Sequence, residues 1–180
     1  MKDASMANAY EPIAHTPDPT LDLLLERVVD VPVGLVWEAW TNPAYLKQWF
    51  TPAPWKTVDC EIDLRPGGIF RTVMESPEGE RFPGSGCFLE VIHHRKLVWT
   101  SALLPGYRPV KVAAGEARKE CDEMLFTAVI SMTPQGRGTR YSALAIHTDP
   151  EACKRHEAMG FHTGWGSALD QLVALMKTKQ

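Results

Sequence analysis

The segment VWEAWTNPAYLKQWF, residues Val36 to Phe50, is the most informative part of this 180-residue sequence. Its apolar residues recur at helical spacing until Asn42-Pro43 interrupts the pattern. The segment therefore predicts two short helices, each burying one face. With three tryptophans and a phenylalanine, these faces require either a large apolar partner surface or a ligand.

The residues before this segment predict an N-terminal arm and one strand. The apolar run from Leu21 to Val29 is followed closely by Pro32 and is typical of a strand. Residues 1–19 are rich in proline, aspartate and threonine and lack the apolar centre of a secretory signal. We therefore expect a flexible arm over residues 1–19 and a single domain over residues 20–180.

From Lys56 onwards the residues alternate between apolar and polar, as in an antiparallel sheet. The pattern predicts a hairpin around the turn at Arg65 to Gly68. Further strands are expected at about Phe82 to His93 and at Leu97 to Ala102, and LFTAVISMT and TRYSALAIH form a closing hairpin. With the first strand this makes about seven strands, and we expect Leu103 to Glu123 to be a long loop.

The C-terminal region predicts two helices separated at Gly160. The first begins near Pro150, after a capping aspartate. In the second, Trp165, Leu169 and Leu172 recur at intervals of three and four and give an apolar face that must lie on the sheet. The expected fold class is α+β: a curved antiparallel sheet of about seven strands around a long C-terminal helix, with two short helices after the first strand.

Composition and motifs exclude several classes of protein. Hydrophobic residues make up 44% and charged residues 23%, the net charge is −3, and basic residues are scattered. We therefore expect neither nucleic-acid binding nor a membrane span, which needs roughly 20 apolar residues. The four cysteines form no CxxC pair, which favours a reduced, cytoplasmic protein without a zinc or thiol redox site.

We also expect no metal and no cofactor. His156-Glu157 resembles the start of a zinc-protease helix, but the second histidine of that motif would fall at Gly160. His93 and His94 are adjacent and would point to opposite faces of a strand, so they cannot chelate together. The sequence contains no GxSxG, P-loop or GxGxxG motif.

Several motifs, in order along the chain, resemble those of a known family. LRPGGIF followed by Arg71 is similar to its first hairpin, GSGCFLEV and LVWT to its central strands, and Gly164-Trp165 to its C-terminal helix. With the two opening helices they resemble the activator of heat-shock protein 90 ATPase homologue-like (AHSA1-like) family of the helix-grip (SRPBCC, START or Bet v 1-like) superfamily. The resemblance implies an apolar cavity between the sheet and the C-terminal helix, which relatives use to hold lipids, polyketides or hormones.

The aromatic residues have two interpretations, as walls of such a cavity or as plain core. Stacking and desolvation on an aromatic wall would suit a flat apolar ligand. The candidates are Trp37, Trp40, Trp49, Phe70, Trp99, Phe126, Trp165 and Leu169.

Polar residues on the strands would orient a ligand if they face inwards. The ones to consider are Arg71, Glu75, Thr127, Tyr141 and His147. Arg71 either faces inwards, paired with Glu75 or with a ligand carboxylate, or lies outwards on a solvated edge. His147, at the end of the last strand, is either a hydrogen-bonding group or general base, or an ordinary satisfied polar residue.

Three functions follow from these observations. The first is binding of a small hydrophobic or aromatic molecule without demonstrable enzymatic activity. The second is an enzyme of the polyketide cyclase or dehydratase type, which needs a polar pair inside the cavity. The third is a co-regulator of a chaperone ATPase. The eukaryotic activator has an extra N-terminal domain that engages the chaperone, and the roughly 20 residues before Leu21 are too few to form one, which speaks against this function. A homodimer, paired through aromatic surface and the loop at Leu103 to Glu123, is a further expectation.

Overall fold

The protein is described by a computed structural model that covers residues 14–112 and 124–180. Within these ranges it has nine strands and four helices. The strands are β1 (Asp22–Val29), β2 (Lys56–Ile62), β3 (Ile69–Glu75), β4 (Arg81–Ile92), β5 (Lys96–Thr100), β6 (Leu103–Leu104), β7 (Arg108–Pro109), β8 (Phe126–Gln135) and β9 (Gly138–His147). The helices are α1 (Val33–Thr41), α2 (Pro43–Trp49), α3 (Pro150–Ala158) and α4 (Phe161–Lys177).

Asn42 separates the two helices of the aromatic segment. Its backbone N–H donates to the Glu38 carbonyl at the end of α1, and its side-chain oxygen accepts from Ala44 N at the start of α2. The second contact is an N-cap, and Pro43 follows it at a position where a helix needs no N–H donor. The indole N–H of Trp49 donates to the Ala39 carbonyl at 2.9 Å and ties the helices together. The predicted pair of helices is confirmed.

Seven strands form one antiparallel sheet in the order β1-β9-β8-β5-β4-β3-β2. The register shifts between Thr57 and Asp59 in β2 and between Phe88 and Glu90 in β4. Such bulges bend strands and increase their twist, so they help to curve the sheet around the helices. The curved seven-stranded sheet and the α+β fold class agree with the expectation from the sequence.

The helix α4 lies on the concave side and contacts α1, α2 and β1. Its residues Leu169, Leu172 and Met176 are at most 1% exposed, and burying each stabilises the fold by about 1.5–3 kcal/mol. The side chain of Gln171 bonds the carbonyls of Trp49 and Thr51 and the N–H of Ala53, which anchors the loop after α2 to α4. This packing is the helix-grip arrangement.

The segment after β5 departs from the expected loop. Residues 103–109 form a small separate hairpin of β6 and β7, because Gly106, with φ of +75°, permits a tight turn. Residues 113–123 of the predicted loop and residues 1–13 of the predicted arm lie outside the described residues. No helix in the described ranges combines the length and apolar character needed to cross a membrane.

Candidate functional site

A cavity of about 420 Å³ lies between the concave face of the sheet and the helices. It receives alternate residues of β3, namely Phe70, Thr72 and Met74, because successive strand residues point to opposite faces. One side of α4, including Gly164 and Ala168, forms the opposite wall. The aromatic residues of the lining are Trp40, Trp49, Phe50, Phe70, Trp99, Phe126, Tyr141, Phe161 and Trp165.

These rings support one another in a connected wall. Trp40 meets Trp49 edge to face with centroids 4.9 Å apart. On the sheet side, Trp99 lies 5.0 Å from Phe70 and 5.4 Å from Phe126 between centroids. Such pairs contribute about 0.5–1.5 kcal/mol each beyond their burial and hold the rings in place. The cavity is therefore preformed by the same contacts that build the core.

Eight of the eleven residues proposed from the sequence line this cavity. They are Trp40, Trp49, Phe70, Trp99, Phe126, Tyr141, Trp165 and Leu169. Six of these eight also belong to the buried core, with Phe126 and Trp165 packed against it. Core and cavity wall, which the sequence presents as alternatives, are one set of side chains.

Trp37 belongs to the core but does not line the cavity, which corrects the sequence-based candidate list. It packs edge-on against His93 and His94 at centroid distances of 5.2 and 5.9 Å. These two histidines also differ from expectation, because they lie in the turn between β4 and β5 and their rings stack at 3.8 Å. A turn, with His94 at φ of +58°, does not impose the alternation of a strand.

Arg71, Glu75 and Thr127 also lie outside the cavity. Arg71 pairs with Asp59 and Glu61 of the neighbouring strand β2, so the outward interpretation of Arg71 is the correct one. Glu75 pairs with Arg81. Thr127 donates to the hydroxyl of Thr100. All three follow from strand alternation, since the residues that precede them, Phe70, Met74 and Phe126, line the cavity.

His147 is buried behind the cavity lining, where its ring packs near Phe126 and hydrogen-bonds to a second histidine. Its Nδ1 lies 2.9 Å from the Leu21 carbonyl oxygen, and its Nε2 lies 2.9 Å from Nδ1 of His156. His156 lines the cavity. His156 is not among the cavity residues expected from the sequence, although its spacing from the buried Ala152 and Cys153 on α3 is a signal of an inward face.

The lining is uncharged at neutral pH. Among the described residues it includes no Asp, Glu, Lys or Arg. Burial, and then the neighbouring His147, lowers the pKa of His156 to about 4. Burial raises the pKa of Tyr141, and the nearby indole N–H of Trp40 opposes this only weakly. Both groups are therefore neutral in the physiological range.

Two polar groups of the wall lack partners. The indole Nε1 atoms of Trp40 and Trp99 are buried and make no hydrogen bond of normal geometry within the described part of the chain. The Trp40 indole lowers the pKa of Tyr141 against the larger effect of burial, but its Nε1 forms no hydrogen bond of normal geometry with the hydroxyl. A buried N–H donor without a partner costs stability. Hydrogen bonding within the described residues therefore does not explain why these two indoles lie in the wall.

The described residues offer neither a cluster that could bind a metal ion nor, at Cys60 and Cys153, a reactive thiol. No group of three or more His, Cys, Asp or Glu there could hold a metal ion. Burial, with Asp59 nearby, raises the pKa of Cys60 to about 11, and burial also raises that of Cys153. Raised thiol pKa values leave little thiolate at neutral pH, so these two are poor nucleophiles.

Comparisons with known proteins agree with this architecture. Residues 30–177 match the family model described as Activator of Hsp90 ATPase homolog 1-like protein. A crystal structure of a protein from Nitrosomonas europaea is 50% identical, with a TM-score of 0.83 over 91% of this chain and 98% of that one. None of the curated proteins matches.

More distant structures show the same fold. A protein from Mycobacterium smegmatis is 23% identical, with a TM-score of 0.71 over 89% of this chain and 94% of that one. An AHSA1-like protein from Aeromonas hydrophila is 17% identical, with a TM-score of 0.62 over 88% and 94% of the two chains. At these identities the likeness concerns the fold alone.

Proposed function

This chain belongs to the family of Activator of Hsp90 ATPase homolog 1-like proteins, and on that premise we propose that its cavity binds a small hydrophobic or aromatic molecule. The observation that carries the proposal is a preformed aromatic cavity of about 420 Å³ without a charged side chain among its described lining residues. Small-molecule sites typically measure about 300–1,000 Å³ and combine apolar walls with few polar groups. Binding would be driven by apolar burial, at about 25 cal/mol per Å².

Gly164 offers a direct test, because it lies on the cavity side of α4. A Cβ atom built there meets only Pro52 Cγ, at 4.0 Å, so alanine fits without displacement. A leucine at the same position extends into the cavity. Both residues are better helix formers than glycine, by about 0.5–1 kcal/mol, so neither change should unfold the protein.

The probe is N-phenyl-1-naphthylamine, an uncharged aromatic dye that brightens in apolar surroundings. We expect saturable binding to the wild type, a Kd within about threefold for Gly164→Ala, and a Kd weakened by about tenfold or more for Gly164→Leu, a loss of about 1.4 kcal/mol. Urea unfolding of both variants checks that they are folded. Equal binding by the alanine and leucine variants would place the dye elsewhere, and no binding by the wild type would remove the proposal.

A second candidate is an enzyme of the polyketide cyclase or dehydratase type. The observation that favours it is that two titratable groups, Tyr141 and His156, line one cavity. Native mass spectrometry on protein purified from its own host would reveal a retained molecule. If that molecule then loses the mass of water with the wild type but not with Tyr141→Phe, the chain is an enzyme; an unchanged mass supports binding alone.

The third hypothesis, a co-regulator of a chaperone ATPase, draws its support from the family description. No contact among the described residues favours it over ligand binding. A pull-down that retains a chaperone ATPase would establish it. A homodimer likewise stays a prediction, and sedimentation showing a species of about twice the 20.1 kDa chain mass would support it.

A further inference from the structure

The hydrogen bonds of the two histidines determine where their protons lie. The Leu21 carbonyl oxygen, which can only accept, lies 2.9 Å from Nδ1 of His147 and also receives the backbone N–H of His147 at 3.2 Å. Nδ1 of His147 therefore carries a proton. In the uncharged ring, Nε2 of His147 is then an acceptor.

The same argument extends to the second ring. Nδ1 of His156 lies 2.9 Å from Nε2 of His147, and a bond between them requires that Nδ1 of His156 donates. The uncharged His156 ring then has no proton on Nε2. The backbone carbonyl of Leu21 thus fixes, through His147, which nitrogen of His156 is a free acceptor.

The ring that carries this free acceptor lines the cavity. His156 is 7% exposed and lines the cavity. Its ring packs among Phe126, Phe161 and Trp165, with centroids 5.0, 5.2 and 6.0 Å away. The only hydrogen bond of the ring within the described residues is the one from Nδ1, so Nε2 has no partner there. An acceptor that has no partner in the protein is left for a ligand or water in the cavity to satisfy.

We propose that the cavity takes an uncharged aromatic or apolar molecule bearing a hydroxyl group, a phenol or an enol, whose O–H donates to Nε2 of His156. This inference rests on the proposed ligand binding and specifies the ligand class. His147 is a positioning residue, since it reaches the ligand only through His156. A carboxylate has no proton to donate to Nε2 of His156, and among the described lining residues there is no cationic side chain to offset the burial of its charge.

The test compares 2-naphthol with its methyl ether, 2-methoxynaphthalene, in which a methyl group replaces the hydroxyl hydrogen. A neutral hydrogen bond in a protein gives roughly a 2- to 10-fold gain in affinity. We expect the preference for naphthol over the ether, which is the ratio of the two Kd values, to fall by about that factor in His156→Leu, whatever the change in the ether Kd itself. His147→Leu, which frees His156 from its fixed tautomer, should also lower this ratio.

The outcomes separate this inference from the proposal on which it rests. If neither probe binds the wild type, ligand binding of this kind fails. If both bind and the preference is the same in wild type and His156→Leu, ligand binding stands and the hydroxyl acceptor is refuted.

A measurement on the wild type needs no variant to fold. ¹⁵N spectra of the histidine rings should show both His147 and His156 protonated at Nδ1, with the Nε2 signal of His156 shifting when 2-naphthol is added and not when the ether is added. A proton on Nε2 of His156 would overturn the inference.

Discussion

The buried His156 should make the stability of the protein depend on pH between about 6.5 and 4. Its pKa is lowered from 6.5 to about 4, first by burial and then by His147. As the pH falls, the unfolded chain takes up this proton before the folded one does. The stabilisation from a neutral His156 is therefore complete above pH 6.5 and is lost progressively as the pH falls towards 4.

The magnitude follows from the two pKa values. Each unit of difference corresponds to about 1.4 kcal/mol, and the linkage between about pH 7.5 and 5 amounts to roughly 2 kcal/mol for a fully shielded ring. Since His156 borders a cavity that water can enter, screening reduces this, and we expect the free energy of unfolding to fall by about 1–2 kcal/mol more than in a variant without the titrating ring.

The variant for comparison is His156→Gln, because a glutamine amide can still donate to Nε2 of His147 but does not titrate. Urea unfolding followed by tryptophan fluorescence, at about pH 7.5, 6 and 5, gives the free energy of each protein. Titrating groups that do not contact His156, including His15, whose pKa burial also lowers, are common to both proteins and cancel in the difference. Parallel pH profiles for wild type and His156→Gln would refute a lowered pKa at this position.

Three further results are expected. Gln171→Ala removes the bonds that hold the loop after α2 to α4 and should lower the free energy of unfolding by about 1–3 kcal/mol; no change would mean that water replaces them fully. Leu172→Ala should lower the free energy of unfolding by about 2–5 kcal/mol because the side chain is 0% exposed. The control Val28→Ala, at a position that is 59% exposed, should change it by less than about 0.5 kcal/mol. Similar losses for both variants would contradict the packing. Cys60, with a pKa near 11, should react with iodoacetamide at about pH 8 at least about tenfold more slowly in the folded than in the urea-unfolded protein, as peptide mass spectrometry would show.

Local patterns account for most of the fold. Asn42-Pro43 predicts the break between α1 and α2 because an N-cap and a first-turn proline act within a few residues. Alternation of apolar and polar residues predicts the strands, because this pattern too is set by residues close together in the sequence. The hairpin of β6 and β7 is not predicted, because strands of two residues are too short to show a period.

The candidate site is less predictable because the sequence shows that a residue is buried but not what it faces. Trp37 and Trp40 lie three residues apart on one apolar stripe of α1, yet Trp37 packs on the β4–β5 turn and Trp40 borders the cavity. His156 is the more instructive omission. Its hydrogen bond to His147 joins α3 to the end of β9, and a contact of this kind depends on how the helix docks, which no local pattern records.

The break between α3 and α4 has a consequence for the geometry of the cavity. Gly160, with φ of +90°, and Met159, which is 60% exposed, both border the cavity where the two helices join. His156 lies on α3, on one side of this junction, while Trp165 lies on α4, on the other. The hydrogen bond between the two histidines and the aromatic wall of the cavity therefore both depend on the angle at which α3 and α4 meet at Gly160.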